Sequence, residues 1–304
     1  DMSASYKDVW QKESALPALA DILRANAVQA CRLAPLVFMT DPDRTPDPVA
    51  TAKTLPRGAA IIYRHFGAKN AQVIARELRA MTSARGQQLL IGNDPELAES
   101  LDADGVHFAR DENLRGPQKW RAKRPDWILT MAGLKLGEYL GPLGCLDALL
   151  ISSIFPSQSP SAGTPIGVEA LTERVARLPI AVIALGGINA QTGYHLIGTG
   201  VSGLAAIGGL TMQVEKEPTK TGHRFVIKTE VGEAELTLAK MKDGVFNANH
   251  TFTPDALRGQ GVAGKLYVAM VKDAKAEGYK IHPGCPYIEV KFKRHPEDAA
   301  AVGV

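Results

Sequence analysis

Aromatic residues are scarce in this sequence: Phe, Tyr and Trp make up 6% of its 304 residues. That is too few to interleave a basic surface with the stacking platforms of a nucleic-acid binder. An excess of one charge is also missing. Lys and Arg number 35 against 32 Asp and Glu, a formal charge of +3. A general attraction to polyanions is excluded, and any anion site must be local. Cysteine is rare. Cys31, Cys145 and Cys285 are odd in number, far apart and outside any metal-ligand spacing. They exclude a disulfide framework and fit a reducing cytoplasm. No apolar run reaches the roughly 18 residues of a membrane span. Neither nucleic acid nor membrane is therefore an expected partner. The 29 Gly and 19 Pro have no period, and no repeat or low-complexity tract is present. The opening DMSASYKDVWQKES is polar and acidic, so no signal peptide is expected there. Asp1 ahead of Met2 reads as an added residue.

What is present is ordinary core material: 45% hydrophobic and 22% charged residues. The length predicts about two domains, placed at 1–212 and 213–304. Residues 14–30 carry an apolar helical stripe. After them, short apolar runs alternate with amphipathic stretches. Strands are predicted at Leu36–Thr40, Ala60–Arg64, Gln88–Gly92, Gly105–Ala109, Trp127–Met131, Ala148–Ser152, Ala181–Leu185 and Gly203–Ile207. Continuous apolar runs suit strands buried on both faces. The clearest helices are 68–84 and 168–178. Eight strands with crossovers predict an α/β fold, a compact (β/α)8 TIM barrel. The eighth helix region is atypical, because the polar segment 211–224 follows the last strand and reads as the domain boundary. The 14–30 helix or the next domain should cover that gap. Residues 224–304 predict a small α+β unit. It comprises a hairpin with VGEAE between its strands, a strand at 245–253, a Gly-rich turn into a long helix, a short strand at 280–285 and one final helix.

Ligands of such barrels sit at the C-terminal strand ends. Arg64 falls there and suits either a phosphate or a rim salt bridge. Asp94, with Asp111 or Glu112, offers hard oxygen ligands for Mg2+. Asp94 before Pro95 equally fits a helix N-cap. The tandem glycines Gly186 and Gly187 suit an anion-binding turn or a plain tight turn. The loop 154–167 is Ser- and Gly-rich and lacks Lys and Arg, which speaks against a pyrophosphate grip.

Residues 36–208 resemble the thiamine phosphate synthase/TenI family of barrels. The resemblance rests on FMTD (38–41), YRHFG (63–67), IGND (91–94), ADGVHFARDE (103–112), LDALLISSIFPSQS (146–159) and ALGGI (184–188). It implies a pyrimidine pyrophosphate and a thiazole phosphate as substrates, with Mg2+. Arg64 and Asn93 would then face pyrophosphate, Asp94 and Glu112 would ligate metal beside Asp111, and Gly187 would lie at the thiazole phosphate turn. The chain departs from the family pattern at several positions. Phe66 stands at a basic position, and Ala132 and Leu134 stand at Ser and His positions. Ser157, Gln158, Ser159 and Pro160 replace T-x-T-K, so Ser157 and Ser159 keep hydroxyls where the lysine is lost. Losing one cation from developing pyrophosphate charge costs roughly a hundred-fold in rate. The barrel is therefore expected to bind a phosphorylated metabolite rather than to make thiamine phosphate efficiently.

The second half carries an R-x-x-G-x-A pattern, Arg258, Gly259, Gln260, Gly261, Val262 and Ala263, between a strand and a helix. Such a junction suits an anion or a structural turn. No P-loop ending follows, since Lys265 precedes Leu266. Residues 223–300 resemble short members of the Gcn5-related acetyltransferases, through EAELTL, NHTFTPDALRGQGVAGKL, YKIHPGCPYI and KRHPED. The resemblance implies acetyl-CoA, its pyrophosphate cradled by 258–263 and its pantetheine arm along Thr251–Thr253. His250, Cys285 and Tyr287 are the candidate catalytic groups. The expected function is acetyl-CoA-dependent N-acetyl transfer to an unidentified amine. A thiamine phosphate synthase with an altered site and a non-catalytic metabolite-binding or scaffold protein are the alternatives. The sequence leaves a homo-oligomer open.

Overall fold

A computed structural model describes residues 15–42, 44–45, 47–110, 114–133, 143–157, 163–189, 192–210, 214–229, 232–242, 244–258 and 262–304. The chain divides into two units, Asp1–Thr211 and Met212–Val304.

The first unit is a closed parallel barrel of β1 (Leu36–Met39), β2 (Ala60–Tyr63), β3 (Gln88–Gly92), β4 (Gly105–Phe108), β5 (Ile128–Ala132), β6 (Ala148–Ile151), β7 (Ala181–Leu185) and β8 (Gly203–Ala206). β8 closes onto β1 through Leu36 opposite Leu204 and Phe38 opposite Ala206. Alternate residues serve two cores. Val37, Met39, Ile62, Leu90, Leu150 and Ile183 fill the interior. Phe38, Ile61, Ile91, Leu129 and Val182 face the outer helices. Both sets are buried, which is why the strands read as unbroken apolar runs.

Helix α1 (Ala15–Ala25) precedes the barrel, and α2 (Pro48–Thr54), α3 (Ala71–Arg85), α4 (Pro95–Ser100) and α5 (Arg115–Lys123) follow β1 to β4 in turn. After β6 comes α6 (Gly167–Arg177), whereas among the described residues β7 and β8 are followed only by single 3-10 turns, Gly193–Leu196 and Gly208–Leu210. The wall there is left to α1, which packs against β8 and β1. Its Leu16, Leu19, Ala20 and Leu23 are buried. Arg24 fastens the helix to the barrel floor. Its Nε donates to Ser202 O at 3.3 Å and its Nη1 to Cys31 O at 3.0 Å. Nη2 donates to Leu33 O. Arg24→Ala leaves three carbonyls without this donor and should lower stability by about 2–3 kcal/mol. Urea unfolding of the chain and the variant checks this.

The second unit is a five-stranded sheet in the order β13-β12-β11-β10-β9. The strands are β9 (Glu215–Pro218), β10 (Gly222–Thr229), β11 (Gly232–Lys240), β12 (Val245–Phe252) and β13 (Lys280–His282). Helices α7 (Val262–Glu277), α8 (Pro286–Arg294) and α9 (Pro296–Val302) complete it. Phe225, Ile227, Leu236 and Leu238 pack with Leu266, Met270 and Ile288 as its core.

Three expectations need correction or detail. First, the segment 211–224 holds the division between the units and also contains β9 and the start of β10. β9 is an edge strand held by charge: Arg224 reaches Glu217 at 2.7 Å, Glu233 at 3.1 Å and Glu235 at 2.7 Å. Lys228 pairs with Glu215 at 3.0 Å and also with Glu217. Second, Gly232 pairs with Thr229 and Glu233 with Lys228, so VGEAE lies largely within β11 rather than between strands. Third, the final helix is two helices, broken at His295 because Pro296 disfavours helical backbone in the residue before it. Among the described residues, no helix is long and apolar enough to cross a membrane.

Candidate functional site

At the barrel mouth, Arg64 follows β2 and continues the interior-facing row of Ile62. Its side chain lies across Gly92, where an added Cβ would come within 2.9 Å of Arg64 Cγ. Arg64 Nε donates to Thr40 O at 2.8 Å, and Nη2 to Asp41 Oδ2 at 3.4 Å. Arg44 donates to the same Asp41 carboxylate through its backbone N–H and Nη2, each at 3.2 Å. Burial opposes ionisation of Asp41, yet the Arg44 hydrogen bonds and the charges of Arg44 and Arg64 outweigh it and lower its pKa. Of the two readings of Arg64, phosphate site or rim salt bridge, the salt bridge is present. The ring of Phe66 lies 5.2 Å from the guanidinium and is 70% exposed.

Asp94 is the N-cap of α4, its Oδ1 accepting from Leu97 N at 2.9 Å. Its Oδ2 lies 3.2 Å from His65 Nε2, at an angle that misses a hydrogen bond. Gly67 N donates to His65 Nδ1 at 3.1 Å, which in the neutral ring puts the proton on Nε2, toward Asp94. Asn93 is exposed, with φ +54°. Asp111, Glu112 and Ser159 lie outside the described residues, so no carboxylate partner of Asp94 is described. Among the described residues, the His, Asp and Glu side chains close enough to share a cation are His295, Glu297 and Asp298 in the second unit.

Gly186 and Gly187 are required by the chain's own crossing. Phe155 N donates to Gly186 O at 3.0 Å. At Gly187, with φ +68°, an added Cβ would lie 2.4 Å from Pro156 O. Ser157 belongs to that crossing loop. His107 lies on β4, and its ring points inside the barrel. Its Nδ1 is 3.0 Å from Thr130 Oγ1, and burial, then the charge of Arg64, pushes its pKa down to about 3.

In the second unit, β12 pairs with β11 along most of its length. It pairs with β13 only from Val245 to Asn247. The chain then turns through Gly284 into α8, and the edge of β12 from Ala248 to Phe252 has no strand partner on that side among the described residues. Two buried polar atoms near it, Asn247 Oδ1 and Thr253 Oγ1, lack hydrogen-bond partners. Sequence reasoning missed Asn247. Its only signal was a polar residue inside a strand.

The bulge in β12 sorts the candidate catalytic groups. Thr237 pairs with His250 and Leu238 with Ala248, which leaves Asn249 unpaired. His250 therefore shares the charged sheet face with Glu235, its Nε2 3.8 Å from Glu235 Oε1, and is 56% exposed. Thr251 shares the other face with buried Leu236, and Cys285 Sγ lies 3.6 Å from Thr251 Oγ1. The structure brings Cys285 to Thr251 and separates both from His250. Tyr287 packs against the core, and burial raises its pKa. Arg258 is exposed and pairs with Asp255 at 2.9 Å. Gly259, Gln260 and Gly261 lie outside the described residues. Val262 is buried and Ala263 half-buried at the start of α7.

Comparison with known proteins separates the two units in the same way. The thiamine monophosphate synthase profile matches residues 36–210. The GCN5-related N-acetyl-transferase profile matches residues 224–302. A thiamine-phosphate synthase of Pyrococcus horikoshii is 28% identical over 203 residues, covering 65% of this chain and 96% of that protein. Another, from Archaeoglobus fulgidus, is 29% identical over 185 residues, covering 59% and 87%. Among solved structures, a thiamine phosphate pyrophosphorylase from Pyrococcus furiosus is 28% identical, with a TM-score of 0.49 over 57% of this chain and 84% of its own.

Proposed function

Since the chain belongs to the thiamine monophosphate synthase family through residues 36–210, we propose that its barrel binds a phosphorylated metabolite at Arg64 and that the second unit transfers acetyl from coenzyme A to an amine. The open edge of β12 carries this reading. An extended ligand with amide groups can add to a bare strand edge as another strand would, and the pantetheine arm is such a ligand. The unpartnered Asn247 Oδ1 and Thr253 Oγ1 are groups whose burial is costly until a partner arrives. Residues 258–263 lead into α7, whose N-terminus favours negative charge. Cys285, beside Thr251, is the proton donor to the departing thiolate. His250 lies on the other face and does not act on the same atom.

Calorimetric titration with acetyl-CoA tests this. We expect micromolar binding, weakened about ten-fold by Arg258→Ala through loss of a charged contact to pyrophosphate. No binding to folded protein sinks the reading.

The names of the relatives favour a second reading, thiamine phosphate synthesis. The described residues speak against an efficient form of it. Arg64 is engaged by Asp41, Phe66 occupies the neighbouring position, and both Asp94 oxygens have neighbours already. Incubation with the two phosphorylated precursors and Mg2+ should therefore form product at least about a hundred-fold more slowly than a typical family enzyme. Turnover at the ordinary rate would establish this second reading.

A further inference from the structure

The bare edge of β12 offers a second side to a ligand. Thr251 turns its side chain to the core face, beside Cys285. Its two chain neighbours, His250 and Phe252, turn to the opposite, charged face. There His250 lies across from Thr237 and Phe252 across from Glu235. Residues directly opposite on a sheet have Cβ atoms about 5 Å apart. Glu235 therefore lies beside Phe252 as well as 3.8 Å from His250 Nε2. Imidazole, carboxylate and aromatic ring share one patch at the strand edge. Phe252 is 47% exposed and takes no part in the core of the unit.

The charge around this patch is unbalanced. On the same face, β9 to β11 present Glu215, Glu217, Glu233 and Glu235 against Arg224 and Lys228. Four carboxylates against two cations leave a net charge of −2, and three of the four share the single guanidinium of Arg224. Such a face repels an anion and draws a cation. An exposed ring beside a carboxylate suits an alkylammonium, since the ring can take its stem and the carboxylate its charged head.

We infer that the acceptor reaches the β12 edge over the charged face, and that it is a primary alkylammonium whose aliphatic body carries further positive charge and no carboxylate. This rests on the acetyl-transfer reading. Phe252 takes the stem and Glu235 draws the ammonium. A thioester lying along the edge at Thr251 is in the plane between the two faces. His250 then serves the amine from one side, and Cys285 serves the sulfur from the other. His250 Nε2 faces Glu235, which leaves Nδ1 to take a proton from the ammonium. Glu235 is the positioning residue that pairs with the imidazolium so formed. The freed amine attacks the carbonyl carbon, a C–N bond forms and the C–S bond breaks. Of the three ammonium protons, one passes to His250 and on to solvent, and one stays on the amide. The last replaces the proton that Cys285 gives to the thiolate.

Two measurements on the full chain test this. Bromoacetyl-CoA brings an alkylating carbon to the place of the acetyl group. In Cys285→Ser we expect it to alkylate His250 with loss of bromide, as located by peptide mass mapping, and excess coenzyme A to suppress the label. Iodoacetamide, which has no coenzyme A to place it, should label His250 at least about ten-fold more slowly. Second, kcat/KM for acetylation of 1,5-diaminopentane should exceed that of 5-aminopentanoate by at least about ten-fold. In the double variant Glu233→Gln, Glu235→Gln the ratio should fall toward one, with acetyl-CoA affinity unchanged. A suppressible label on another residue of Cys285→Ser, or no label while coenzyme A binds, overturns the placement of His250. Labelled His250 without a preference for the diamine, without turnover of either compound, or with a preference the double variant keeps, overturns the acceptor class. A folded chain that does not bind coenzyme A overturns the acetyl-transfer reading, and this inference falls with it.

Discussion

Gly187→Ala should destabilise the barrel unit by about 2–5 kcal/mol. Two costs add. A left-handed φ of +68° costs a residue with a Cβ about 1–2 kcal/mol. The new Cβ would also meet Pro156 O at 2.4 Å and Phe155 Cβ at 2.8 Å, and overpacking of this kind costs about 1–3 kcal/mol. Backbone cannot rotate away as a flexible side chain would. Gly198 separates the two costs. Its φ is +86°, but nothing lies within 4 Å of its added Cβ. Gly198→Ala should therefore show the dihedral cost alone. Urea unfolding of both variants decides the matter. Equal losses would mean that the crossing of 153–156 over 186–187 is loose, which would return Gly187 to the role of a ligand turn.

That crossing also shows where the sequence stopped being legible. The eight barrel strands were readable because burial on both faces leaves unbroken apolar runs such as ALLI and AVIAL. The tandem glycines were visible too, but their cause was not. The atoms they avoid, in Ser153 for Gly186 and in Phe155 and Pro156 for Gly187, lie about 30 residues away along the chain. β9 was missed for a different reason. Its sequence, EKEP, is held by Arg224 and Lys228, and a strand fastened by cross-strand charge leaves no apolar alternation to find. The break at Pro296 carried its own signal.

In the second unit the candidate residues were legible, but their grouping was not. Ala248 is buried in the core, so simple alternation would place His250 on the core face and Thr251 on the other. The unpaired Asn249 reverses this. His250 is sent out to Glu235, and Thr251 is brought in to Cys285. One bulged residue thus decides which face each group takes. NANHTF contains no Gly or Pro to announce it.

Acid should expose the cost of burying His107. Its folded pKa is about 3 against an ordinary 6.5, chiefly because burial disfavours the charged ring and then because Arg64 lies near. Between those values the unfolded chain binds a proton that the folded chain refuses. Stability from this group is therefore complete above pH 6.5 and is lost as pH falls through the window. The slope is about 1.4 kcal/mol per pH unit, and the whole window amounts to about 4–5 kcal/mol. Asp41 acts lower on the scale. Its pKa is depressed below 3.8, so its contribution is present above that value and is lost below it. The two groups therefore occupy different windows. Urea unfolding from pH 7 to pH 4 should show the slope in the chain and a shallower one in His107→Gln. The absolute stability lost by the variant does not matter, because the slope reports proton uptake alone. Identical slopes would mean that His107 is charged or solvated in the folded barrel. A neutral His107 adds no charge to Arg64 and Arg44, which share the single carboxylate of Asp41 at that point of the mouth.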